Sequence, residues 1–398
     1  MVSNSVEPSG PDPLAGLLDA SHTLPPAELG AAVDDALRRL GARSSRLFLA
    51  DHDQMSLHPL HPLDPDDDDR SFRVDGTVGG RAFILETTVM VPNGDGVRMW
   101  VPLINGTARV GVLAVELDDP GAVDGETVEM VAALAAELII TKGQYTDVFE
   151  LARRHQPMTL EAELQRCTLP PVAILTPYVA IAGLLMPAYE VAGDSFDYGL
   201  NRDTLDVAVI DSVGHELASS LISHLVSGSL RNSRRNGVDL VEAYAAADAA
   251  VVRVFPDIRF ATAAFGQLDL HSGRFRWISA GHPPPVLVRG GKVTGEAETV
   301  PVLPIGLGGA DPAVNEVMLE PGDRLLLYTD GAVEGGMRNA ERFGLDRLLD
   351  LLGQSILDGL APAETVRRLV MAVLEHSAYE LHDDTTLVLV EYRGAPSR

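Results

Sequence analysis

Asp194 in VAGDSFD, Asp211 in DVAVIDSVGHE, Asp330 in LLLYTDGAVE and Asp383 in HDDTTLVLV each stand where a strand or loop end can aim a carboxylate at a common point. Converging carboxylates repel one another and take up protons unless a counter-charge is present. If these four converge, the site calls for divalent cations, and oxygen-only ligation selects Mg2+ or Mn2+ over zinc. Such a centre suits metal-assisted phosphoester chemistry. Taken singly, each aspartate has a plainer explanation. Asp-Gly is a common hairpin turn, and Asp often starts or caps an element. The set carries the inference.

The elements that must position these residues can be read from hydrophobic period. Asp211 ends the apolar run LDVAVI and Asp330 ends LLLYT. A buried strand ending in a carboxylate holds the acid rigidly at a sheet edge, where a ligand can reach it. After residues 169–171 (LPP) the pattern predicts strands over 178–187, 205–210, 260–270, 274–280, 285–289, 325–328 and 386–392. Helices are predicted over about 216–235, 239–255, 342–353 and 362–377. Strands in series with helices in pairs fit an α+β layered domain better than alternating βαβ units.

Bulk properties narrow the function classes. The chain has 398 residues, 46% of them hydrophobic, with Lys+Arg 31 against Asp+Glu 57 and a formal net charge of −26. A field of that sign repels phosphate backbones and anionic membranes, which argues against nucleic acid and membrane as partners. The single cysteine, Cys167, excludes an intramolecular disulfide and a thiolate zinc site. The opening MVSNSVEPSGPDP lacks the basic-then-apolar order of a secretory signal, and a cytoplasmic location is the expectation.

MPAYEVAGDSFD, DSVGHELAS, FATAAFGQLD, SAGHPPP, LPIGL, GDRLLLYTDGAVE, ERFG and DDTTLVLV follow one another in a fixed order. Over about residues 164–392 the chain resembles the bacterial SpoIIE/RsbU-type phosphatases, a branch of the metal-dependent PP2C-like (PPM) Ser/Thr phosphatases. Upstream, LQRCTLPP is similar to the segment that leads into that domain. The resemblance implies an α-β-β-α sandwich with a binuclear Mn2+ or Mg2+ centre between its sheets. It implies Asp194, Asp211, Asp330 and Asp383 as metal ligands, with Asp211 the bridge and Ser212 contributing a backbone carbonyl. Asp384 rivals Asp383, because either of the pair could face inward. Asp197 either supports the ligands or is an additional one. Asp194 and Asp211 together with His215 would form the catalytic set, His215 giving a proton to the leaving serine oxygen, while His282 walls the cleft. Two departures stand out: Glu216 replaces a glycine usual after Gly-His, and Ala192 replaces a glycine before Gly-Asp. The implied substrate is a phosphorylated protein, by family an anti-anti-sigma factor of the STAS type. The alternative is a signalling scaffold that binds its partner without hydrolysis.

Before this domain, residues 1–13 form a polar tail and residues 14–124 resemble a GAF domain. The cues are GTVGGRAFILE and VRMWVPLINGTARVGVLAVEL, with predicted strands at 46–50, 55–59, 85–92, 97–104 and 109–117. Such domains bind small ligands or serve as dimerisation modules. With no cysteine before Cys167, a thiol-linked bilin is excluded there. His52, His58 and His61 are expected in exposed turns. Residues 125–168 read as a helical linker whose interrupted apolar face either forms a parallel coiled coil, making a homodimer, or packs on its own domain. The catalytic domain is then expected over 169–394.

Overall fold

The computed structural model describes residues 13–60, 70–106, 108–190, 193–214, 217–255, 257, 259–309, 311–335, 342–381 and 383–394. The chain divides into two compact units, Met1–His155 and Gln156–Arg398.

In the first unit the order is α1 (Pro13–Ser21), α2 (Leu29–Leu40), β1 (Ser44–Ala50), β2 (Ser56–Pro59), β3 (Phe72–Arg73), α3 (Val78–Leu85), β4 (Val89–Asn93), β5 (Gly96–Asn105), β6 (Ala108–Leu117), α4 (Gly125–Gly143) and α5 (Val148–Arg153). The strands form one antiparallel sheet in the order β3-β2-β1-β6-β5-β4. Period-two alternation fills both faces. Leu47 and Leu49 of β1 join the core under α2 and α4, and Phe48 joins Phe83 of α3 and Trp100 on the other side.

The expected linker over 125–168 is not one element. Val128, Val131, Ala135 and Leu138 of α4 are buried in the first unit's own core, with Phe149 of α5 beside them. The α4 part of the apolar stripe is therefore covered within the unit, whereas Leu151 and Leu160 further along it are exposed. The later part of the segment is α6 (Leu160–Thr168), capped by the Thr159 hydroxyl accepting from Ala162 N, and it belongs to the second unit.

The second unit continues with β7 (Ala173–Leu175), β8 (Val179–Met186), β9 (Asp194–Leu200), β10 (Thr204–Ser212), α7 (Leu217–Arg235), α8 (Leu240–Val254), β11 (Ala261–Asp269), β12 (Arg274–Ala280), β13 (Val286–Arg289), β14 (Lys292–Glu296), β15 (Pro301–Val302), β16 (Asn315–Met318), β17 (Arg324–Tyr328), α9 (Gly331–Glu334), α10 (Leu345–Leu357), α11 (Pro362–His376) and β18 (Thr385–Tyr392). One sheet runs β15-β12-β11-β10-β9, with β16 on β12, and the other runs β14-β13-β17-β18-β8-β7. Phe196, Val207, Val209 and Trp277 from the first interleave with Ile181, Leu325, Leu327, Val388 and Val390 from the second. Ile222, Val226 and Leu230 of α7, at a spacing of four, pack with α8 on the outer face of the first sheet. Helix α11 covers the outer face of the second along β8 and β18. The layers run helix, sheet, sheet, helix.

Candidate metal centre

The site lies at one end of the inter-sheet core, and strand parity puts it there. Side chains two apart share a face. On β9 the inward residues are Phe196 and Tyr198, so Asp194 is inward. On β10 they are Leu205, Val207 and Val209, so Asp211 is inward. The same count places Thr262 on β11 below Ala264, Thr329 beyond Leu327, and Thr386 on β18 before Val388. Each continues a core-facing row past its last apolar member, where the sandwich opens.

Asp194 and Asp211 are direct register partners on antiparallel β9 and β10. Like charges opposite one another destabilise a sheet, so this pairing needs compensation. Asp194 is buried, and its Oδ2 accepts hydrogen bonds from Thr329 Oγ1 and Thr386 Oγ1, both at 2.7 Å. Its backbone carbonyl accepts from Gln165 Nε2 of α6. Asp211 is half-buried; Thr262 Oγ1 lies 3.4 Å from its Oδ2 and 2.9 Å from His282 Nδ1. Asp330 follows β17, at the start of α9, and Asp383 precedes β18; both are exposed at the rim. Asp384, buried, accepts at Oδ2 from Gly193 N (2.7 Å) and Asp194 N (3.2 Å). Two glycines permit this crowding. A Cβ on Gly331 would lie 2.0 Å from the Asp384 carbonyl oxygen, and one on Gly193 would lie 2.7 Å from that of Ser212.

The electrostatics are those of acids with no cationic partner among the described residues. Burial, reinforced by the charges of Asp330 and Asp383, pushes the Asp211 carboxyl up to about 7. Burial, then Asp211 and Asp384, holds Asp194 well above the usual carboxylate range against the two threonine hydroxyls. Asp330 is raised by burial and by Asp383 and Glu334; Asp383 is raised by burial and by Asp384 and Glu334. The four acids are neighbours, but among the described residues no three of them bring oxygens within 4.8 Å of one another.

The expected residues fall out as follows. Asp194, Asp211, Asp330 and Asp383 gather at this end. The Ser212 carbonyl faces Gly193, and the Ser212 hydroxyl is tied to Gly193 O (3.0 Å) and Ser219 O (2.7 Å). His215, Glu216 and Ala192 lie outside the described residues. His282 is buried against Thr262, with burial lowering its pKa to about 4, so it is a neutral wall residue at pH 7. Asp197 is corrected. Its odd offset from Asp194 turns it to the helix side, where Arg231 Nη2 (2.7 Å) and Arg234 Nη1 (3.0 Å) bind it. It faces away from the cluster. The three threonines were not anticipated, although their parity was available in the sequence.

Residues 201–393 match the family described as Stage II sporulation protein E (SpoIIE); the match begins just after Asp194. Phosphoserine phosphatase RsbU of Bacillus subtilis (strain 168) is 22% identical over 213 residues, 53% of this chain and 62% of its own length. Phosphoserine phosphatase RsbP of the same organism is 23% identical over 228 residues, 55% of this chain and 54% of its own length. Among solved structures, the RsbU and RsbW domains of Rv1364c from Mycobacterium tuberculosis align with a TM-score of 0.50 at 29% identity, covering 56% of this chain and 64% of that one. The chain thus spans less than two thirds of each of these relatives. The second unit is a four-layer sandwich with an acid cluster at one end of its inter-sheet core. Within it, residues 201–393 carry the SpoIIE match, a little under half of the chain.

Proposed function

We propose that the second unit is a metal-dependent protein serine/threonine phosphatase that removes phosphate from a partner protein. The observation that carries this reading is an absence of counter-charge. Among the described residues, no arginine, lysine or histidine lies within 4.0 Å of the carboxylates of Asp194, Asp211, Asp330 or Asp383. Buried or crowded acids persist only when paired or when they hold cations. The donor set is all oxygen, which fits Mn2+ or Mg2+. Asp211, between the floor and the rim, is suited to bridge two ions. Asp330, Asp383 and the Ser212 carbonyl complete the set, and Asp194 holds the floor. Asp383 is favoured over Asp384, whose Oδ2 is committed to two backbone N–H groups. Bound there, a pair of ions would supply positive charge for the phosphoryl oxygens and an activated water for attack on phosphorus. The chain's own contribution is position: Thr329 and Thr386 fix Asp194, and Thr262 with His282 fixes Asp211.

The substrate we propose is a phosphorylated STAS-type anti-anti-sigma factor in a partner-switching pathway; the names of the two phosphoserine phosphatases above support phosphoserine as the group removed. The first unit is read as a GAF-like regulator of this activity that takes a small ligand, supported by its antiparallel sheet with helices on both faces. Among the described residues, no helix is long and apolar enough to cross a membrane. The test is phosphate release from phosphorylated STAS proteins of the same cell, with Mn2+ or Mg2+ present. Release that survives a chelator, or survives Asp211→Asn, overturns the reading.

A further inference from the structure

The first unit carries a second cluster of metal-binding side chains, of different chemistry. Asp51, His58 and His155 each bring one ligand atom within 4.8 Å of the other two. His52 and His58, expected in exposed turns, are respectively buried and half-buried, while His61 lies outside the described residues. Asp51 is 0% exposed. Its Oδ1 accepts from Met55 N (2.8 Å) and its Oδ2 from Ser56 Oγ, so the carboxylate is fixed in the turn between β1 and β2. The rings of His58 and His155 stack at 6.0 Å with an interplanar angle of 4°.

One nitrogen of each imidazole faces a polar group outside the cluster and the other lies on the side of Asp51. Ser71 Oγ holds His58 Nδ1 at 2.8 Å, leaving Nε2 on the side of Ser56, whose hydroxyl touches both Nε2 (2.8 Å) and Asp51 Oδ2. Asp53 Oδ2 lies 3.7 Å from His155 Nε2, leaving Nδ1 3.5 Å from Asp51 Oδ2. A carboxylate or hydroxyl orienting the far nitrogen of a histidine is the usual outer support of a metal ligand. Burial also lowers the pKa of His58, against the pull of Asp51, which favours the neutral, ligating imidazole.

We propose that Asp51, His58 and His155 form a site for a divalent cation of the zinc class, distinct in chemistry from the aspartate cluster. Two imidazoles and one carboxylate with a fourth position open to water suit zinc rather than Mn2+ or Mg2+. The His155 side chain is 34% exposed, which gives the ion access. His155 is the last residue of the first unit. The ion would tie the chain's exit to the β1–β2 turn, next to existing ties from Arg153 Nε to Ala50 O (2.8 Å) and from His52 to Glu150 (3.0 Å).

Co2+, a coloured stand-in for zinc, tests this on the full chain. The expected result is a visible absorption band that saturates at one equivalent and is displaced by Zn2+. His58→Gln and His155→Gln should each weaken Co2+ binding about tenfold or more, while Asp211→Asn keeps the band. Absence of the band in the unaltered chain, its persistence in both histidine variants, or its loss in Asp211→Asn overturns the proposal. If a variant fails to fold, the unaltered chain decides: zinc must shield His58 and His155 from diethylpyrocarbonate, read by mass spectrometry, and unshielded histidines refute the site.

Discussion

Asp194 and Asp197 stand three residues apart on β9 and face opposite sides of one sheet. On the helix side, Asp197 is buried and bound by Arg231 and Arg234. Two further buried acids meet arginine in the same way, Asp323 with Arg289 and Glu364 with Arg367, while Asp51 and Asp248 accept from backbone N–H groups. On the inter-sheet side, Asp194 meets two threonine hydroxyls and the fields of two other acids. Among the described residues, arginines therefore meet several buried carboxylates and none lies at the cluster. An arginine would fill the space and supply the charge permanently, whereas the open cluster leaves both to a ligand. The contrast separates acids that hold the fold from the acids proposed to hold a cation.

The contrast can be broken most directly at Asp211. Asp211→Asn should lower Mn2+-dependent hydrolysis of p-nitrophenyl phosphate about a thousandfold, without loss of the folded state in circular dichroism. Asp197→Asn should do the reverse. It leaves two arginines facing a neutral amide and should cost about 3 kcal/mol in urea unfolding, with turnover per folded molecule unchanged. If Asp197→Asn removes activity while stability holds, the division between the two faces is wrong.

A smaller effect is expected behind the cluster. Thr329→Val with Thr386→Val removes both hydroxyls from Asp194 Oδ2. Asp194 would then hold its proton more firmly, and Mn2+ affinity should fall about tenfold in a calorimetric titration. The smallest effect is on pH dependence without metal. Asp211 has its folded pKa raised from 3.8 to about 7, so between those values the native state binds the extra proton. Stability of the metal-free protein should therefore fall as pH rises from about 4 to about 7 and level off above. Asp194, also raised, adds a slope of the same sign. Saturating Mn2+ should flatten the curve, and its apparent affinity should rise over the same interval as protons leave. Metal-free melting temperatures that climb across this range would contradict the unpaired state of the cluster.

Much of the second unit was legible because its strands are strongly periodic. The runs ending at Asp211 and Tyr328 and the run to Tyr392 are observed as β10, β17 and β18. Strand β9 was not foreseen, because DSFDYGL mixes acids with its apolar positions and both faces contribute. The fate of the 125–168 segment was open for another reason. An apolar helical stripe looks the same whether it packs on a neighbouring sheet or on a second copy, and here α4 packs on its own sheet. His52 and His58 were placed in exposed turns because short polar loops give no sign of burial; α5 and His155 cover them from 100 residues further along the chain.

By itself, the sequence determined which side chains share a face, since the two-residue period of a strand is local, and it determined the order of the motifs that carry the acids. Tertiary structure decided which of two adjacent carboxylates remains open. Asp384 is taken by backbone N–H groups 190 and 191 residues earlier in the chain, leaving Asp383 at the rim. It also decided that Asp197 meets arginines and Asp194 does not. Those outcomes depend on which elements meet across the sandwich, and the pairing of distant groups is set by packing rather than by neighbours along the chain.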